Sequence, residues 1–118
     1  MIVMIPLDED KVSVCQIFAR APFFLKCDTE TGTKECIKNI AADEQGGAGV
    51  RAAQQIADEG CDALITVRCG ENAAKVFQYA GIAIYKAADG SAADQLTFLA
   101  DGQLEILTHF HAGYHGIR

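Results

Sequence analysis

Two glycine-centred segments carry the chemistry most open to this chain, Gly46-Gly47-Ala48-Gly49 and Cys69-Gly70-Glu71-Asn72-Ala73. Each stands where an apolar period of helical spacing begins. A glycine-rich helix start leaves backbone N–H groups without acceptors and presents the positive end of the helix dipole. Two such starts on one edge of a sheet make a cradle for an anion. Arg20, on a loop before Pro22, and Arg68, at the end of an apolar run, supply guanidinium groups that offset a guest's negative charge. Arg51 falls in a first helical turn, an unfavourable place for a cation unless an anion answers it. Cys69, between a strand end and a helix start, is expected to have a depressed pKa and to offer a soft thiolate for copper(I), iron–sulfur or molybdenum–sulfur chemistry. The expected cradle is Arg20, Gly46, Gly47, Ala48, Gly49, Arg68, Cys69 and Gly70. The plainer alternatives are tight-turn glycines, arginines paired with surface carboxylates and a cysteine filling a turn.

A second group lies near the end of the chain, in His109-Phe110-His111-Ala112-Gly113-Tyr114-His115. In extended chain His109 and His111 share a side, and Gly113 lets His115 fold back. Three imidazoles suit Zn, Cu or Ni, so His109, His111 and His115 join Cys69 as candidate metal ligands. The plainer alternative is a mobile terminus.

The elements that must position these residues follow from periodicity. Strands are expected over 2–6, 12–14, 22–28 and 34–40, with hairpin chemistry at Thr29-Glu30-Thr31-Gly32. The second half alternates differently. Val50, Ala53, Ile56 and Ala57, then Ala73, Val76, Phe77 and Ala80, fall at helical spacing, with Gly60 and Gly81 just beyond. Strands over 62–67 and 82–86 follow them. A third helix is expected over 92–100 with Ser91 as N-cap, and a short strand over 104–107. Antiparallel strands followed by helix–strand units imply a mixed α/β sheet, antiparallel at its N-terminal strands and parallel at its C-terminal ones, with helices on its faces. That order is compatible with a ribonuclease H-like architecture. Ligands of such sheets bind beyond the carboxyl ends of the parallel strands, where both glycine segments fall.

The 118 residues are read as one domain over 1–104 with a histidine-bearing tail over 105–118. Half the residues are apolar and the net charge is −6, which argues against a general nucleic-acid or membrane-surface binder. No apolar run has the length of a membrane span, and the first residues lack the basic start of a signal peptide. Five cysteines, without a C-x-x-C pair, point to a reduced, cytoplasmic setting. Cys27 and Cys61 are expected in the core, whereas Cys15 and Cys69 stand beside polar residues as ligand candidates. Gly47-x-Gly49-x-x-Ala52 matches a dinucleotide fingerprint in letters, but no apolar strand precedes it.

Phe18-Ala19-Arg20-Ala21-Pro22-Phe23-Phe24, the Gly46–Gly49 run and Gly70-Glu71-Asn72-Ala73, in this order and spacing, resemble the dinitrogenase iron–molybdenum cofactor biosynthesis family. That family includes nitrogenase accessory proteins and a molybdenum–copper orange protein. The resemblance spans about residues 1–104. It implies a ribonuclease H-like fold and a small non-enzymatic protein that binds or carries an anionic metal–sulfur cluster, of Fe-Mo-S, Mo-Cu-S or Fe-S type. The family often carries histidine where Ile17 and Gln45 stand here. Expected partners are the cluster and a donor or acceptor protein, with no nucleic acid or membrane, and the chain is expected as a monomer or weak homodimer. Two other classes are weighed: a metal-dependent nuclease using Asp8, Asp10, Asp28 and Asp62, and an interaction module without cofactor. The absence of a basic stripe counts against the nuclease.

Overall fold

Residues 2–7 are apolar throughout and become the central strand β1 (Ile2–Leu7), buried along almost its whole length. A computed structural model describes residues 1–111. β1 pairs antiparallel with β2 (Phe23–Asp28), from Ile2 opposite Asp28 to Leu7 opposite Phe23, and β2 pairs antiparallel with β3 (Lys34–Lys38). On its other side β1 runs parallel to β4 (Ala63–Thr66), which runs parallel to β5 (Ala83–Lys86). The order is β3-β2-β1-β4-β5. The described residues thus form a five-stranded mixed sheet with three α-helices, as the order of elements implied.

Side chains alternate across β1, and so the two faces have separate cores. Met4, with Phe24, Leu64 and Ile84, packs against α1 (Ala48–Asp58) and α2 (Glu71–Tyr79). Val3, Ile5 and Leu7, with Ala63 and Ile65, face α3 (Ala92–Ala100) through Ala92, Leu96 and Leu99. Alanines at the contact, Ala52 and Ala53 on α1 and Ala73 and Ala74 on α2, let these two helices lie close to the sheet and to each other. α3 starts in a capping box: the Ser91 hydroxyl accepts from the Asp94 N–H at 3.2 Å, and the Asp94 carboxylate accepts from the Ser91 N–H at 2.9 Å.

Two expected strands are reduced to single bridges. Residues 12–14 contribute only Leu7–Val14 and Ser13–Ser91, and residues 104–107 only Tyr85–Ile106. Beyond residue 104 the chain follows β5 in the opposite direction. The Lys86 N–H donates to the Glu105 carbonyl and the Leu107 N–H to the Ile84 carbonyl, both at 2.8 Å. Leu107 is buried in the face that holds α1 and α2. Residues 105–107 of the segment expected as a tail are therefore seated on the sheet edge.

Candidate functional site

α1 begins at Gly47, which is left-handed (φ 71°, ψ 15°) and carries no side-chain cap. Its first intrahelical bond runs from the Arg51 N–H to the Gly47 carbonyl at 3.0 Å, so the Ala48, Gly49 and Val50 amides precede the ladder. α2 begins after Gly70, which is extended (φ −73°, ψ 155°) and also lacks a side-chain cap. Its ladder opens with the Ala74 N–H on the Gly70 carbonyl at 2.9 Å. The two starts are neighbours: a Cβ added to Gly49 would lie 3.8 Å from the Ala73 Cβ. Both glycine segments open onto one cavity of about 420 Å³. The expectation that they share one edge is met.

The charge of the cavity wall is opposite to that of the chain. Arg20 and Arg68 line it, and among the described residues no carboxylate does, although the whole chain carries −6. Helix starts without side-chain caps and guanidinium groups are the kinds of group that can hold an anion.

Arg20 is held by elements the sequence did not reveal. The 3-10 turn Phe18–Arg20 is anchored by Phe18, whose ring lies 5.9 Å from Phe24 and 5.5 Å from Phe77. Asn39, just past β3, is 3 % exposed. Its amide donates to the Ala19 carbonyl at 3.0 Å and the Ala21 carbonyl at 2.8 Å, and its oxygen accepts from the Ala41 N–H at 2.9 Å. Arg20 then donates through Nη1 to the Ala42 carbonyl at 2.8 Å and the Glu44 carbonyl at 2.6 Å. It therefore clamps the loop leading to the glycines through one of its terminal nitrogens. Gln55 of α1 closes the same loop, accepting from the Ile40 N–H at 3.0 Å and donating to the Lys38 carbonyl at 2.8 Å. The only signal for Asn39 was a polar residue set among Ile37, Ile40 and Ala41. Gln55 had none.

Cys69 corrects an expectation. It is 1 % exposed and belongs to the core, with its thiol 3.5 Å from the Gly70 carbonyl. Burial pushes that thiol up to about 12 instead of depressing it. Removal from water outweighs the helix start that follows. Cys15 is also buried, and burial raises its thiol. Cys27 and Cys61 are core residues as expected.

The histidines separate. The His111 carbonyl accepts from the Glu71 N–H at 2.9 Å, taking one amide of the second helix start, and His111 bridges in parallel to Gly70. Its ring lies against Gly70, where an added Cβ would be 3.1 Å from Cε1. His109 is exposed and is not part of the cavity wall. His115 lies outside the described residues. Among the described residues no three His, Cys, Asp or Glu side chains converge to hold a metal ion. Arg51 is exposed and away from the cavity wall.

The four aspartates weighed for a nuclease are divided between the two ends of β1. Asp10 follows its end and holds its own turn through the Val12 and Ser13 amides. Asp28 and Asp62 flank Ile2 at its start, where Asp62 accepts from the Ile2 N–H at 2.7 Å and Asp28 from the Glu30 N–H at 2.9 Å. No helix among the described residues is long and apolar enough to cross a membrane.

Comparison with known proteins places this geometry. The chain is 32 % identical over 108 residues to an uncharacterised protein of Methanocaldococcus jannaschii, covering 89 % of this chain and 90 % of that one. Its structure is similar to the apo form of the orange protein of Desulfovibrio gigas, with TM-score 0.84 and 26 % identity over 91 % of this chain and 92 % of that one. It is also similar to a Thermotoga protein provisionally assigned as NifB, with TM-score 0.77 and 33 % identity over 92 % and 95 % of the two chains. The family described as dinitrogenase iron-molybdenum cofactor matches residues 1–102, a span that holds both helix starts and both cavity arginines. On that match the chain belongs to the dinitrogenase iron–molybdenum cofactor family.

Proposed function

We propose that this chain is a non-catalytic carrier of an anionic metal–sulfur cluster or its precursor, of iron–molybdenum, molybdenum–copper or iron–sulfur type. The observation that carries the reading is the cavity between α1 and α2, whose wall has two arginines and no carboxylate in a chain of net charge −6. Its volume of about 420 Å³ suits a small guest, since small-ligand pockets run from about 300 to 1,000 Å³. The amides of Ala48, Gly49 and Val50 on α1, and of Asn72 and Ala73 on α2, are the main-chain donors for sulfide or oxo groups on the guest. Arg68 adds charge from the β4–α2 connection, and Arg20 adds it while holding the glycine loop. Cys69, an interior thiol, is left out of this cradle.

We read the strand order as ribonuclease H-like. Family membership supports donor and acceptor proteins of cofactor assembly as partners, and the cytoplasm as the setting. The divided aspartates give the nuclease reading no support.

Reconstitution without oxygen tests the function. The protein incubated with tetrathiomolybdate, and separately with iron and sulfide, should retain visible absorption through gel filtration. Arg68→Gln, which removes charge without touching the loop clamp, should weaken that retention by about tenfold. Protein that retains neither guest, and carries no metal when isolated anaerobically from its host, is no cluster carrier.

A further inference from the structure

The cavity wall is rich in donors for an anion but poor in ligands for a metal. Among its described residues there is no thiol, thioether or carboxylate, and the single imidazole is that of His111. Amides and guanidinium groups hold a guest through its outer atoms, whereas a bond to a metal needs a lone pair, which an imidazole nitrogen has.

His111 reaches the cavity by a route set outside the family match, which ends at residue 102. The chain after that point is tied to β5 by the Lys86–Glu105 and Leu107–Ile84 bonds, and Leu107 is buried beneath it. It then meets α2 through the Glu71 N–H and the Gly70 bridge. The His111 ring lies on a glycine, where an added Cβ would stand 3.1 Å from Cε1 and press the ring outward by a few tenths of an ångström. The backbone that carries the imidazole is thus fixed beside the second helix start by main-chain bonds at Leu107 and at the His111 carbonyl.

We propose that His111 is a direct ligand to a metal atom of the guest. Resting on the carrier function above, the assignment narrows the guest to a cluster with a metal atom that can exchange a ligand. An imidazole nitrogen donates its lone pair to that metal, and a labile water or thiolate on the metal leaves with the pair it brought. No electron is transferred. Two ring nitrogens allow one to ligate while the other keeps a hydrogen bond. A closed tetrahedral thioanion is held by the amides and arginines alone, whereas a thioanion carrying a thiophilic metal gains this extra bond.

The experiment uses two probes on the full chain, tetrathiomolybdate alone and tetrathiomolybdate loaded with one equivalent of Cu(I). Wild-type protein should bind both. His111→Ala should bind the first within about twofold of wild type and the second at least about tenfold more weakly. Copper X-ray absorption should show a nitrogen neighbour in wild type that is lost in His111→Ala and restored by added imidazole. His111→Phe, which keeps a ring on Gly70, should behave as His111→Ala does. Equal affinity of wild type and His111→Ala for the copper-loaded probe, with unchanged copper spectra, overturns the assignment while leaving the anion cradle standing. Failure of wild type to bind either probe removes the cradle and the assignment together.

Discussion

Gly47 and Gly70 are glycines for different reasons, and substitution separates them. Gly47 has φ 71°, where an L side chain costs about 1–2 kcal/mol. Gly47→Ala should therefore lower the unfolding free energy by about 1 kcal/mol in chemical denaturation. Gly46→Ala, whose Cβ meets nothing within 4 Å, should stay within about 0.5 kcal/mol of wild type. Gly70 has an ordinary φ of −73°, and its obstacle is the His111 ring 3.1 Å away. The cost of Gly70→Ala should shrink by about 0.5 kcal/mol or more in a His111→Ala background, a coupling that strictly additive costs would refute. The buried thiols make a pH prediction. Cys61 and Cys69 titrate near about 12 in the fold against an ordinary 9.0. Between those values the folded chain keeps protons that the unfolded chain has released, so stability is full below about 9 and falls as pH rises toward about 12. Melting temperature should drop across this window, and drop less in a Cys61→Ala/Cys69→Ala variant. A drop of the same size in that variant would place the titrating groups elsewhere. The burial of Cys61 was expected from its apolar neighbours, whereas that of Cys69 was not legible from residue types, because a cysteine before a helix start reads the same whether it faces a cavity or a core.

Helices were the easier elements to read. The apolar spacing over 50–57 and 73–80 marked α1 and α2, since a helix needs only its own residues to set its period. Strands need partners, and two of the expected ones were reduced to bridges for that reason. β5 has only four residues, and 104–107 meets it at a single ladder position. The connections carried more of the site than their composition indicated. Asn39 holds the 3-10 turn and the glycine loop together with three hydrogen bonds. Asn39→Ala leaves the Ala19 and Ala21 carbonyls and the Ala41 N–H without that partner and should cost about 1–3 kcal/mol or more. It should also loosen the Arg20 clamp and weaken tetrathiomolybdate retention. A variant with normal affinity despite the lost stability would show that the loop does not depend on Asn39 for its working shape.

For the whole molecule, charge and chain path decide the outcome. In this acidic protein no carboxylate of the described residues lines the cavity that holds both helix starts; Asp8 and Asp10 lie past the end of β1, on the far side of Arg20 in a neighbouring depression, and Asp28 and Asp62 lie at the strand's start. The segment after residue 104 is part of that arrangement. Ending the chain there would expose the Ile84 edge, free the Glu71 amide and remove the buried Leu107. Burial of one leucine is worth about 1.5–3 kcal/mol, so denaturation should shift by at least that amount. A chain cut there that melts like wild type would mean the docked segment contributes nothing. Amino-acid order alone determined the mixed sheet, the two successive helix–strand units, both glycine starts and the family, because each depends on local period and spacing. Tertiary packing alone decided that the two starts open on one cavity, that Cys69 turns inward, and that His111 reaches the wall while His109 does not. Those outcomes depend on which face meets the core and on where distant segments dock, and no local pattern of residues encodes either.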